Sequence, residues 1–199
     1  MININPTKLS WVLRAIPNFL WPLKFYLTRY SLKSHGKNFK FGSNCTFSDH
    51  RKIEVGDNVF IGDKSVIAAI VPVKIGDNVM FGPEVMVMGG DHNISVVGKP
   101  MRFVHTGGKN IPVIFENDVW VGARAMILKG VKACEGSVIG AGSMVTKSVP
   151  PYSINVGSPS KTIKCRFSRE ELKEHLKLVN SKYTFEEIEK LYNEIGMKI

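Results

Sequence analysis

The sequence has little of several things that would settle its class at once. Its 199 residues include only three cysteines, Cys45, Cys134 and Cys165. They are too scattered for a disulfide framework, and without a CxxC pair a thiolate zinc site is not indicated. A reduced, cytoplasmic protein is the default for such a chain. Long apolar runs are missing too. The stretch from Ala15 to Leu23 is interrupted by Pro17, Asn18 and Pro22. A membrane span needs about 20 apolar residues, and a secretory leader does not usually carry two prolines. Acidic residues are absent from positions 1–40, which hold Lys8, Arg14, Lys24, Arg29, Lys33, Lys37 and Lys40. Most of the net charge of +10 therefore belongs to that arm. No P-loop, dinucleotide fingerprint or Ser-His-Asp pattern occurs. What remains is ordinary: 44% hydrophobic and 22% charged residues describe a globular chain with a real core and exclude wholesale disorder.

The arm, residues 1–38, mixes positive charge with Trp11, Phe19, Trp21, Phe25, Tyr26 and Tyr30. Val12, Ile16 and Phe19 share one helical face, as do Leu23, Leu27 and Tyr30. Pro17 and Pro22 divide it into two short helices. Two uses fit. The arm is a cap packed on the main domain, or it rests on an anionic membrane surface with aromatics at headgroup level.

Residues 39–163 repeat with a period of six. Phe115, Val121, Ile127, Ala133, Ile139 and Val145 form one series. Val119, Ala125, Val131, Ser137, Ser143 and Val149 follow four positions after each. An earlier series runs Val55, Ile61, Ile67, then slips before Ile75, Phe81 and Val87, with a further slip after Phe47. Six matches neither the helical period nor simple strand alternation. It matches a very short strand and one tight corner per step, with Gly or Asn at the bend where positive φ is required. Stacked coils then bury Val and Ile ladders that no single repeat can bury.

These residues carry a resemblance. VGDNVF-IGDKSV, IGDNVM-FGPEVM and VGARAM, with PVIFENDVWVGARAMILKGVKACEGSVIGAGSMVTKSVPPYSINVGSPSKTIKCRF, resemble the hexapeptide-repeat acyltransferase superfamily over roughly residues 39–170. The resemblance implies an all-β fold, a left-handed parallel β-helix, and a homotrimer with its sites between subunits. It also implies acetyl-CoA as co-substrate and no metal. No nucleic-acid partner is expected. A γ-class carbonic anhydrase shares the fold but needs three histidines on the coils, which His92 and His105 in one loop do not provide. Residues 164–199 read as helices covering the last coil. Ser168 with Glu171 and Thr184 with Glu187 form capping boxes, and Gly196 is a stop.

The phase is lost between Val87 and Phe115. A loop of residues 88–112 in a chain otherwise built of tight corners is expected to be functional. It opens with GGDHN, where Gly89 and Gly90 let the chain leave the coil, and it carries His92 and His105. An imidazole titrates near neutrality, and His92 matches the family's general base for acyl transfer to a hydroxyl. Glu84 either orients His92, binds an acceptor hydroxyl or faces solvent; Asp91 is a weaker orienter. On the donor side the resemblance points to Trp120 as a platform for pantetheine or as a subunit contact. It also points to Gly122, Gly140, Ala141 and Gly142 as a close path for the pantetheine arm. Lys147, Lys161 and Lys164, with Arg166, are candidates for the coenzyme's phosphates. Glu116 stands where relatives have Gly and lies close enough in sequence to Trp120 to reshape the donor groove.

The function expected is O-acetylation of a sugar hydroxyl in capsule or O-antigen biosynthesis, in the cytoplasm or peripherally at the inner membrane face. A drug hydroxyl acetyltransferase, an amino-sugar N-acetyltransferase and a non-catalytic trimeric scaffold remain alternatives.

Overall fold

The computed structural model describes residues 20–104 and 109–199. The helical face of Val12, Ile16 and Phe19, and His105, lie outside the described residues.

Short strands wind around three faces. The first face stacks β1 (Ser34–His35), β4 (Ile53–Val55), β7 (Val73–Ile75), β10 (Val113–Phe115) and β13 (Lys132–Ala133). The second stacks β2 (Lys40–Phe41), β5 (Phe60–Ile61), β8 (Met80–Phe81), β11 (Trp120–Val121), β14 (Val138–Ile139) and then β16 (Ser153–Gly157) with β17 (Ser160–Cys165). The third stacks β3 (Thr46–Ser48), β6 (Val66–Ala68), β9 (Met86–Met88), β12 (Met126–Leu128) and β15 (Met144–Val145). Every pairing between coils is parallel and in register, as Phe41↔Ile61 and Ile61↔Phe81 show. Among the described residues only the β16–β17 hairpin is antiparallel.

The six-residue series is the core. Its repeat residues from Val55 to Val145 are all buried, and so are the small residues at Val119, Ala125, Val131, Ser137, Ser143 and Val149. The corners work differently from the sequence expectation. The glycines that follow repeat residues, such as Gly56, Gly62 and Gly82, are absent from the positive-φ positions. They are required by close approach. A Cβ on Gly62 would sit 2.4 Å from the carbonyl carbon of Gly82, and one on Gly122 2.5 Å from the Ala141 nitrogen. The left-handed residue comes two positions later, at Asn38, Asn58, Asn78 and Asp118 on the first corner and at Asn44, Lys64, Glu84 and Arg124 on the second. Asp and Asn side chains between the two accept amides from the coil below. Asp57 accepts from the Lys37 amide at 2.6 Å and Asp77 from the Asp57 amide at 2.7 Å.

The slips all fall at the third corner. A 3-10 turn, His50–Lys52, fills it in the first coil. In the second, Ile70 and Val71 fill it, and the Lys52 ammonium bonds the Ile70 carbonyl at 2.8 Å. In the third coil the chain leaves there as the long loop, from which β10 returns. Gly89 closes the exit by donating to the Ala68 carbonyl and accepting from Val71, each at 2.9 Å.

Both ends of the column are covered. At the start, helix α1 (Trp21–Ser31) begins with Pro22 in its first turn. Phe25 stacks on Phe41 at 4.8 Å, and Leu32 enters the core. At the far end, α2 (Arg169–Leu178) and α3 (Phe185–Glu194) each begin with the expected capping box. With Tyr152 and Cys165 they bury Leu172, Leu176, Phe185, Ile188 and Tyr192 in a second apolar cluster. Among the described residues no helix is long and apolar enough to cross a membrane.

Glu116 joins the column to this terminal cap. Its buried carboxylate meets the Lys132 ammonium at 2.8 Å and the Lys182 ammonium at 2.5 Å. It also accepts from the Glu135 amide and the Tyr183 hydroxyl, both at 2.9 Å. Glu135 beside it accepts from the Tyr152 and Ser181 hydroxyls, both at 2.5 Å. The glutamate at a glycine position is thus a clasp holding the segment between α2 and α3. Burial alone would raise its pKa, but the four donors together outweigh burial and hold it below the ordinary carboxylate value.

Two predictions follow from this packing. Gly62→Ala should lose about 1–3 kcal/mol, because the new methyl meets backbone and not a yielding side chain; chemical denaturation measures it. Glu116→Gln should cost about 1–3 kcal/mol at neutral pH. A depressed folded pKa contributes stability above the unfolded value, near pH 4, and loses it as pH falls through the lower folded value. The gap between wild type and Glu116→Gln should therefore shrink in acid, read as Tm against pH.

Candidate active site at the loop corner and the terminal groove

In-register stacking sorts the outward residues into ladders. The first face presents Ser34, Glu54, Lys74, Ile114 and Lys132. The second presents Lys40, Phe60, Met80, Trp120, Val138 and Ile154. The third presents Val66, Met86, Met126 and Met144. One face is charged and two are largely apolar. Trp120, the broad aromatic expected on the donor side, is 52% exposed between Met80 and Val138.

His92 lies just past the glycine exit of the third corner and is exposed. Its neighbour Asp91 turns away to an ion pair with Lys129 at 2.5 Å, which ties the loop base to the turn after β12. Gly90 is needed here, since a Cβ would meet Ile70 at 2.3 Å. The loop beyond carries Ile94, Val97, Met101 and Phe103, all exposed.

Glu84 sits on the second corner in left-handed conformation, φ 59°. Among the described residues its partner is Arg124, whose Nε donates to Oε2 at 2.9 Å, and not His92. Both members of the pair are substantially exposed.

The basic residues of the C-terminal segment separate. Lys147 and Lys161 line one groove of about 330 Å³, floored by Val149, Pro150, Asn155 and Thr162. Ser160, on its wall, has a buried hydroxyl with no hydrogen-bond partner. Two cations on one groove suit phosphate oxygens. Lys164 is exposed on β17, opposite Ile154, and is not among the groove's lining residues. Arg166 departs from the expectation that it joins this patch. It pairs with Asp118 at 2.9 Å and donates to the Gly136 carbonyl at 2.7 Å, in a separate cleft beside His175 and Asn180.

The small residues divide as well. Gly122 is buried, and its missing side chain lets Ala141 stack on it. Gly140 leaves space that Val156 enters. Ala141 and Gly142 are exposed, and Gly142 has a left-handed backbone with open space around it. Arg124, Lys129 and Ser160 were not foreseen. Arg124 was findable, because Glu84 and Arg124 each stand three positions after a repeat residue, Phe81 and Val121. The pairing of Asp91 with Lys129 was not, because Asp91 lies beyond the point where phase is lost.

The family described as "Hexapeptide repeat of succinyl-transferase" matches residues 52–82 and 112–147. A probable macrolide acetyltransferase of Lysinibacillus sphaericus is 33% identical over 155 residues, which cover 70% of this chain and 83% of that protein. The chain belongs to the hexapeptide-repeat acetyltransferase family. Galactoside O-acetyltransferase of Escherichia coli K12 is 35% identical over 134 residues, 65% of this chain and 52% of that protein. The chain thus spans about half the length of some curated relatives it matches. A solved maltose O-acetyltransferase from Clostridium difficile 630 superposes with TM-score 0.68 at 29% identity, covering 79% of this chain and 82% of that one. A galactoside acetyltransferase solved with coenzyme A superposes with TM-score 0.69 at 26% identity, covering 82% and 80%. The fold class is accordingly an all-β left-handed parallel β-helix with helices at its ends.

An exposed ion pair contributes little to stability, about 0–1 kcal/mol. Glu84→Ala should therefore leave Tm within a few degrees of wild type. Any larger loss in an activity assay then reports on chemistry at this corner and not on folding.

Proposed function

We propose that this chain is an acetyl-CoA-dependent O-acetyltransferase acting on a sugar hydroxyl in surface polysaccharide assembly, in the cytoplasm and as a homotrimer. The observation that carries the reading is His92, exposed at the one corner where the column opens into a long loop. Acetyl transfer needs a base that reaches an acceptor from solvent, and a His held at a rigid exit supplies one. His92 takes the acceptor hydroxyl proton, the oxygen attacks the thioester carbonyl, and coenzyme A leaves as thiolate, which the imidazolium can reprotonate.

The groove of Lys147 and Lys161 fits the coenzyme's phosphates. Trp120 and the open backbone at Ala141 and Gly142 fit its apolar arm. Lys164, exposed nearby, adds positive potential, and Glu84 with Arg124 stands ready to contact acceptor hydroxyls. The apolar ladders of two faces and the exposed loop residues support assembly with further copies, because single chains rarely leave such area uncovered. The sugar reading draws on the galactoside and maltose acetyltransferases. A drug hydroxyl is the second reading, favoured by the macrolide relative and by a short stretch, 28% of this chain and 27% of that protein, that is 59% identical to a chloramphenicol acetyltransferase of Morganella morganii.

Thiol release from acetyl-CoA against sugars, macrolides and chloramphenicol tests both. Turnover with a sugar supports the first reading, and turnover confined to drugs replaces it. His92→Ala should lower kcat about 10²–10⁴-fold with the fold intact; near-normal turnover removes His92 from the chemistry. Replacing Lys147 and Lys161 together by Glu should raise KM for acetyl-CoA about tenfold or more, chiefly at low salt. An unchanged KM places the donor elsewhere.

A further inference from the structure

A helix that caps a solenoid normally turns a polar face to solvent. The C-terminal cap obeys this rule: Glu170, Lys173, Glu174 and Lys177 of α2, and Glu186, Glu187 and Lys190 of α3, are exposed. The N-terminal cap reverses it. Helix α1 packs on the first coil with Lys24, Phe25, Thr28 and the following Leu32. Its opposite arc, together with the preceding residue, is Leu20, Leu23, Tyr26, Leu27 and Tyr30, all exposed, with Tyr26 at 58% and Tyr30 at 61%. No charged residue falls within that arc at helical spacing. The face of Leu23, Leu27 and Tyr30 visible in the sequence therefore points away from the column and not onto it.

The helix is fastened in this orientation. Phe25 stacks on Phe41, Arg29 Nε donates to His35 Nδ1 at 3.2 Å, and the Ser31 hydroxyl meets His50 Nδ1 at 2.5 Å. Beside the stripe an apolar groove lined by Pro22, Phe25, Tyr26, Phe41 and Phe60 opens with Lys40 on its wall. Lys37 is exposed after the helix, Lys33 pairs with Glu54 of the next coil at 2.8 Å, and residues 1–40 contain no acid.

The geometry points to the outward face of α1 as a docking surface for an anionic lipid bilayer. Leucines on a fixed helix enter the acyl boundary, tyrosines sit at headgroup depth, and Lys37 and Lys40 face phosphates. Charge selects this occupant over a second copy of the chain, because two copies would bring two acid-free basic arms together. The inference does not depend on acetyl transfer.

The test is co-sedimentation of the full chain with vesicles of equal parts phosphatidylcholine and phosphatidylglycerol, compared with phosphatidylcholine alone. Binding should require the anionic lipid and weaken as salt rises. Leu23→Glu with Leu27→Glu should weaken it about tenfold or more. Tyr26→Ser with Tyr30→Ser, a milder change on the same arc, should weaken it in the same direction if the first pair harms folding. A wild-type chain that stays in the supernatant overturns the proposal. So do both variants pelleting like wild type. A variant that splits a larger assembly in sedimentation velocity while vesicle binding is unchanged also overturns it, since the face would then be a contact between copies.

Discussion

At the Gly62 step of this column the backbone of the next coil lies 2.4 Å from where a β-carbon would be, and at Gly36, Gly42 and Gly56 it lies 2.5–2.7 Å away, with an aspartate oxygen nearer still. That backbone-on-backbone approach is the constraint from which the rest descends. It requires glycine at Gly36, Gly42, Gly56 and Gly62, and a left-handed residue stands two positions after each. It also locks successive coils in register. Once register is locked, outward side chains have no freedom to scatter. They form ladders by necessity, and composition at one hexad position becomes the character of a whole face. Glu54, Lys74 and Lys132 make one face charged, while Phe60, Met80 and Trp120 make the next apolar.

The part of the fold that follows from this constraint was readable from residues alone. The period of six located the strands from Phe41 to Val145, because an inward residue that misses its position has nowhere else to go; it did not locate Ser34–His35, which lies in the arm read as helical, or the β16–β17 hairpin, which has no such period. Capping boxes at Ser168 and Thr184 located both terminal helices, because a cap is a local hydrogen-bond arrangement. What was not readable depends on contacts between distant segments. Glu116 looked like a disturbance of the donor groove, yet its partners Lys182 and Tyr183 come from the terminal cap, 66 and 67 residues away. The helical stripe of α1 was correctly placed on one face, but nothing local told which face would meet the column. Phe41 and the open end of the first coil decide that. For Glu84 three roles stood open, orienting His92, binding an acceptor hydroxyl or facing solvent; the next coil supplies Arg124 as its partner.

The cysteines illustrate how far burial carries such reasoning. Cys45 lies under the Gly62 carbonyl, 3.2 Å away, and burial pushes its thiol up to about 11. A thiol so placed stays protonated at neutral pH and cannot serve as a nucleophile. The scarcity noticed in the sequence and the burial in the structure thus agree for Cys45, which offers no thiolate for a covalent intermediate.

The position of the candidate base follows from an asymmetry among the corners. The first two repeat a Gly-x-left-handed step through successive coils, so an inserted residue there would break the close approach above and below. The third does not repeat. It holds a 3-10 turn in the first coil, Ile70 and Val71 in the second and the long loop in the third. Each of these leaves the flanking strands in register, as the pairing of β7 with β10 across the whole loop shows. Lengthening a loop costs only about 0.6 kcal/mol per doubling once its ends are fixed. The ends here are fixed by Gly89 on one side and by the Val113 amide on the Pro72 carbonyl, 3.0 Å, on the other. The column can therefore carry an extended segment at this corner at little expense to itself, and a side chain just past the anchored glycines inherits the rigidity of the coil. His92 occupies that place, two residues beyond Gly90.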